Sequence, residues 1–198
     1  MSTAALANLG NTFLVKEHVG LFKAASNYDI YDPATGQQLL ACREPNLGLL
    51  TKLFRFTDYK RMTPFDAEVR SSTGELALQV SRGVSIFLST VEVKDGLGML
   101  LGKFEQKFFS IGGAFDVKDA TGRTVASLKG SWVGWDFRFE SGGREIARVT
   151  KKWAGIGKEL FTSADNYVLE ISPTVATGDP VRPLILAAVL CIDLVLKE

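Results

Sequence analysis

One histidine and two cysteines are all that the 198 residues hold for imidazole ligation or thiol chemistry. With His18 alone, neither a multi-histidine metal centre nor a triad needing several histidines can be assembled, and neither Cys42 nor Cys191 has an evident partner residue. So few cysteines fit a reducing compartment better than a secreted disulfide scaffold, although a bridge between the two stays open, and the chain reads as intracellular. An excess of either charge is missing as well: 23 Lys and Arg stand against 22 Asp and Glu. A nucleic-acid binder working by general charge needs an excess of cations to neutralise phosphates, so no nucleic-acid partner is expected. Met1–Thr12 has no basic flank ahead of an apolar core, and reads as a short flexible lead-in to one domain over 13–198 rather than a signal peptide. The glycine-rich pieces Gly96-Leu97-Gly98 and Ile111-Gly112-Gly113 lack the lysine and the strand-loop-helix context of a phosphate loop. They are turns, and no catalytic residue is assigned.

What the chain does have is a recurring unit of strand, turn and strand. Tyr28–Tyr31 leads through Asp32-Pro33-Ala34-Thr35-Gly36 into Gln37–Ala41, and Phe65–Val69 through Ser71-Ser72-Thr73-Gly74 into Glu75–Val80. Three more follow, with tips at Lys94–Gly98, Lys118–Gly122 and Glu140–Gly143, each between alternating apolar runs. Glycine accepts positive φ without steric cost, and Asp or Ser at a tip bonds to nearby amides. Five hairpins in series predict an antiparallel meander, whose many edges call for closure or a second sheet.

The longest apolar run, Leu184–Ile192, is followed by Asp193 and then Leu194, Val195 and Leu196. A helix spanning a bilayer needs about 20 apolar residues, whereas runs of about 10–14 are usually core helices. Pro183 suits a first helical turn, and apolar residues on every side describe a helix surrounded by protein. Residues 184–196 are therefore expected to plug the wide interior of a closed sheet, with Asp193 pairing Lys197 where the helix emerges.

The stretch Val149–Tyr167, reading VTKKWAGIGKELFTSADNY, resembles the most characteristic segment of the phospholipid scramblase family: basic residues, Trp, a small residue, Gly, a charged-hydrophobic-Phe-Thr run and Ala-Asp-Asn-aromatic. The ending LILAAVLCIDLVLKE and the Pro64-Phe65 pair resemble it too, so the likeness extends over roughly 13–198. It implies the tubby-like fold, a mainly β architecture in which about twelve antiparallel strands close as a barrel around a central hydrophobic C-terminal helix. The same superfamily holds the LURP-one-related proteins, with no well-defined activity, and tubby proteins, which bind phosphoinositides. Fold therefore follows more firmly than function.

The resemblance implies a non-enzymatic protein at membranes, taking anionic phospholipids or phosphoinositides as partners and involved in transbilayer phospholipid movement. Headgroup candidates are Lys151, Lys152 and Lys158 around Trp153, and Arg55, Lys60 and Arg61 among aromatics. Short basic runs also mark solvated strand ends, and aromatics also mark cores. The family's calcium segment corresponds to Ser163–Thr174, where only Asp165 among the expected loop positions is a carboxylate and position 12 is not acidic. Ser163, Asp165 and Asn166 are thus a weak calcium candidate, read mainly as a turn ahead of a strand at Tyr167–Ile171. The palmitoylated cysteine clusters of animal scramblases are replaced by Ser85–Ser89 and Trp132–Trp135. The expected place is the cytoplasm or the membrane periphery. The alternative is a soluble LURP-one-related type of protein acting through protein partners or a bound ligand, without scramblase activity.

Overall fold

Alternation of apolar and charged residues along most of the runs turns one side of those strands to water and the other to a core. The computed structural model describes residues 6, 9–18, 27–45, 63–85, 88–107, 114–131, 135–151, 166–192 and 195. The strands are β1 (Thr12–Glu17), β2 (Tyr28–Tyr31), β3 (Gln38–Arg43), β4 (Phe65–Ser71), β5 (Leu76–Arg82), β6 (Thr90–Asp95), β7 (Leu100–Gln106), β8 (Ala114–Asp119), β9 (Thr124–Ser131), β10 (Asp136–Ser141), β11 (Arg144–Thr150) and β12 (Asn166–Ile171), followed by the helix α1 (Val181–Cys191). Each strand pairs antiparallel with the next, and β1 also pairs with β12 from Thr12↔Glu170 to Lys16↔Asn166, so the sheet closes as a barrel. Closure removes the edges that an open meander would leave. The fold predicted from pattern and resemblance is the one found.

Inward residues such as Val91, Val93, Phe104, Phe115, Phe137 and Phe139 are fully buried. Their neighbours carry charge on the outer wall, where Glu92 bonds Lys94 and Lys103, both at 3.2 Å, and Lys118 bonds Glu105 at 2.6 Å. Helix α1 fills the interior, with Arg182–Cys191 buried throughout. An isolated helix of this length is marginal in water, so the barrel wall is what keeps it helical. Gly102 on β7 makes room for it: a Cβ there would stand 3.0 Å from the Leu184 methyls and 2.2 Å from the Lys118 carbonyl oxygen.

The helix begins three residues before the expected start. Asp179 Oδ1 accepts the Val181 amide at 2.9 Å and the Asp179 carbonyl accepts the Arg182 amide at 3.0 Å, so the first turn forms ahead of Pro183. Pro183 still lies within the first turn, where its missing N–H leaves no bond unmade. Asn166, expected in a turn, is the first residue of β12. The proposed Asp193–Lys197 pair lies outside the described residues.

The two rims differ. Five hairpins share one rim, and in each the register slips by one on the second strand, so that Leu39, Ala77, Leu101, Val125 and Ile146 are added as bulged residues. All five are apolar and all belong to or pack against the core. Gly36, Gly74, Gly98 and Gly122 hold the positive φ that leads into four of these bulges. The tips are set by side chains: Asp95 Oδ1 accepts the Leu97 and Met99 amides, both at 2.9 Å, and Asp119 Oδ1 accepts those of Thr121 and Arg123. The β12–α1 passage joins the same tight-turn rim. At the opposite rim the strands are joined by the connections 18–27, 44–64, 83–89, 107–113, 132–135 and 151–165.

Candidate functional site

The alternation of tight and long connections sorts charge that the whole sequence hides. The six connections of the second rim hold nine Lys or Arg against four Asp or Glu. Those of the tight-turn rim, between strand ends and up to α1, hold Asp32, Glu75 and Asp179 against Arg123. A chain of formal charge +1 thus has one set of connections rich in lysine and arginine and another that is mildly acidic.

Both groups of headgroup candidates belong to connections of the basic rim. Arg55, Lys60 and Arg61 fall between β3 and β4, and Lys151, Lys152, Trp153 and Lys158 between β11 and β12. Of these, Lys151 is described and the other six lie outside the described residues, as do Ser163 and Asp165. Asn166 is buried and pairs in register with Lys16.

Lys151 does not stand free in solvent. Its ammonium lies 4.2 Å from the centre of the Trp135 ring and 5.3 Å from that of Tyr167, and the two rings stack at 4.8 Å. The Lys151 amide donates to the Trp135 carbonyl at 3.3 Å, which fixes the stem beside the ring. Trp135 adopts φ 48°, a left-handed conformation uncommon for a bulky residue, and turns its half-buried ring toward Tyr167. An ammonium over aromatic faces joined to the core is a cation presented on an apolar base.

Next to the Trp135 ring, Asp136 accepts both arms of Arg148, at 2.8 Å from Nε and 2.5 Å from NH2, and a third bond from Arg138 at 3.2 Å. The Arg148 bonds lead, against a smaller opposing effect of burial, in holding its carboxyl down at about 2. His18 finds a comparable carboxylate. Asp29, buried on the outer wall, takes His18 Nε2 at 2.6 Å, Arg43 at 2.6 Å and Gln38 at 3.2 Å. Burial pushes the Asp29 carboxyl up, but the bonds and charges of Arg43 and His18 outweigh it and the net shift is downward.

Two exposed apolar residues on the basic rim escaped the reading of sequence. Val84 is 75% exposed and Leu88 42%, at the ends of the short β5–β6 connection that holds no charged residue. The sequence signal was the run Val84-Ser85-Ile86-Phe87-Leu88, which reads equally well as a strand. Ser85 Oγ donates to the Leu88 carbonyl at 2.8 Å, a bond between the two ends of that run.

Among the described residues no group of three or more His, Cys, Asp or Glu is arranged to hold a metal ion. Cys42 and Cys191 are free thiols, both fully buried, and burial pushes Cys42 up to about 12 and Cys191 further in the same direction. Within the described residues no helix is long and apolar enough to cross a membrane.

A family model described as Scramblase matches residues 14–197. Among solved structures, a crystal structure of a protein from Arabidopsis thaliana superposes with a TM-score of 0.58 at 15% identity, over 98% of this chain and 96% of that one. At that identity the likeness is one of fold. No curated protein matches.

Proposed function

Because the chain belongs to the scramblase family, we propose that it works without catalysis as a membrane-lipid-interacting module, docking its basic rim on acidic phospholipid or phosphoinositide headgroups. The observation that carries this reading is the segregation of charge between the rims: nine basic against four acidic residues in the connections of one rim, and the reverse balance at the other. Basic residues near an anionic surface contribute about 1 kcal/mol each, so a few on one rim suffice for reversible docking. Exposed Val84 and Leu88 and the Lys151–Trp135 pair supply apolar contact at the same level.

The outer wall bears on how such a protein would move lipid. Membrane-spanning barrels turn apolar residues outward and polar ones inward. Here the outward residues of β6–β11 form ion pairs such as Lys118–Glu105 and Lys129–Glu140, and the interior is apolar. Contact from the surface, by rim rather than by wall, fits this distribution; any part in transbilayer movement would then act on headgroups from one side.

Sedimentation with vesicles tests the reading. Binding should be strong with vesicles containing phosphatidylserine, weak with neutral phosphatidylcholine, reduced by salt, and lowered several-fold by joint Lys151→Ala and Lys152→Ala substitution. Equal binding to acidic and neutral vesicles would overturn it and favour the partner-binding alternative.

A further inference from the structure

At the tight-turn rim, away from the basic connections, lies a cavity of about 530 Å³ between the start of α1 and the ends of the β8–β9 and β10–β11 hairpins. Its origin is visible in the fold. The helix runs closest to β5, β6, β7 and β12, so the space toward β8–β11 must be filled by side chains from the wall. Deeper in the barrel Phe115, Phe137 and Phe139 fill it. Near the rim the wall offers only the bulged residues Leu101, Val125 and Ile146, facing Val181 and Leu184 of the helix, and they leave it open.

The lining is apolar at its base and charged at its mouth. Asp119 is committed to Thr121 and Arg123, and Asp179 Oδ1 holds the Val181 amide at the start of α1. Arg144, exposed at the mouth, has no hydrogen-bond or ion-pair partner for its guanidinium among the described residues. One uncommitted cation over an apolar cavity, with Asp119 paired to Arg123 and Asp179 bonded through Oδ1 to the start of the helix, defines the chemistry of its complement: an anion on an apolar tail. The volume falls in the range of about 300–1,000 Å³ typical of small-molecule sites.

We propose that this cavity binds a single-chain anionic amphiphile, its chain lying on Leu101, Val125, Ile146, Val181 and Leu184 and its head group held by Arg144. The shared chemistry is that of a long-chain carboxylate or a lysophospholipid with an acidic head. This site is separate from membrane docking by the basic rim, and either can fail without the other.

The test is a fluorescence titration with parinaric acid, a long-chain polyene carboxylate, below its aggregation concentration. Saturable binding at one site per chain is expected. A charge-assisted hydrogen bond contributes about 1.5–3 kcal/mol, so Arg144→Glu should weaken binding at least about tenfold. Val125→Phe should abolish it by filling the cavity, and the Lys151→Ala, Lys152→Ala protein should bind as the parent does. Hexadecanoate and lysophosphatidate, added as competitors, identify the source by which displaces the probe at lower concentration, and cetyltrimethylammonium should not displace it. Unchanged affinity in Arg144→Glu, equal competition by the cationic amphiphile, or no displacement by either anion would overturn the proposal. Arg144 is exposed, so its variant decides the matter even if Val125→Phe does not fold.

Discussion

Asp136 stands at the first position of β10 with three guanidinium bonds, two from Arg148 and one from Arg138. Its carboxyl is depressed from an ordinary 3.8 to about 2. A carboxylate with a lowered folded-state pKa adds stability that is fully present above the unfolded value and is lost as pH falls toward the folded one. The pair is partly exposed and screened, so Asp136→Asn should cost about 1 kcal/mol at neutral pH. In urea melts at a series of pH values, the difference from the parent protein should hold down to about pH 4 and shrink toward pH 2. Arg182 poses the opposite case, a buried guanidinium that bonds chiefly to main-chain oxygens. It donates to Asn11 Oδ1 at 2.9 Å and to the carbonyls of Gly10 at 2.6 Å and Leu9 at 3.1 Å, tying the segment before β1 to the first turn of α1. Arg182→Ala should cost about 3 kcal/mol by thermal or urea melting, because it orphans several acceptors at once. Nothing in the sequence near Arg182 announced this role. These three partners are about 170 residues away, and two of them are backbone carbonyls, which carry no side-chain signature.

At the scale of elements, the five hairpin tips were legible because their chemistry is local: in four of them an Asp or Ser accepts amides two to four residues on, and in all five a glycine takes positive φ. The bulges were not legible. Val125 and Ile146 look like ordinary alternation until the register shows that one residue is extra in each second strand. The helix was legible in its apolarity but not in its start, since Asp179, which accepts the Val181 amide, lies ahead of the apolar run. Helix and wall meet most tightly at Gly102, and this sets a prediction. Gly102→Ala would drive a methyl into the Lys118 carbonyl, a backbone atom that cannot step aside. The substitution should lower stability by about 1–3 kcal/mol, measured by urea unfolding, although alanine is the smallest possible change. Gly83, with nothing near its position, offers the matched control: Gly83→Ala should leave stability within about 0.5 kcal/mol.

For the whole molecule, the sum of charges concealed what topology separates. An up-and-down barrel sends alternate connections to opposite rims, so the basic runs noted separately around Arg55–Arg61 and Lys151–Lys158 belong to connections of one rim. Their shared rim could not be read from the chain without the strand count, because one strand more or fewer between them would assign them to opposite rims. Apolar exposure does not decide the orientation, since Leu97 at the tight-turn rim is 71% exposed and Val84 at the basic rim 75%. The proposed orientation rests on charge: Leu97 follows Asp95 on the rim whose connections are mildly acidic, and Val84 belongs to the rim whose connections are rich in lysine and arginine. Single cysteines at Val84→Cys or Leu97→Cys, coupled to an environment-sensitive dye, turn this into a measurement. Labelling will be confined to the new thiol, because Cys42 and Cys191 are buried and their thiols are shifted away from the reactive thiolate. On adding phosphatidylserine vesicles, the dye at position 84 should shift to the blue and become shielded from aqueous quencher, while the dye at position 97 stays in water. A shift at position 97 alone would invert the molecule on the membrane and bring the Arg144 cavity, rather than the lysines, against the bilayer.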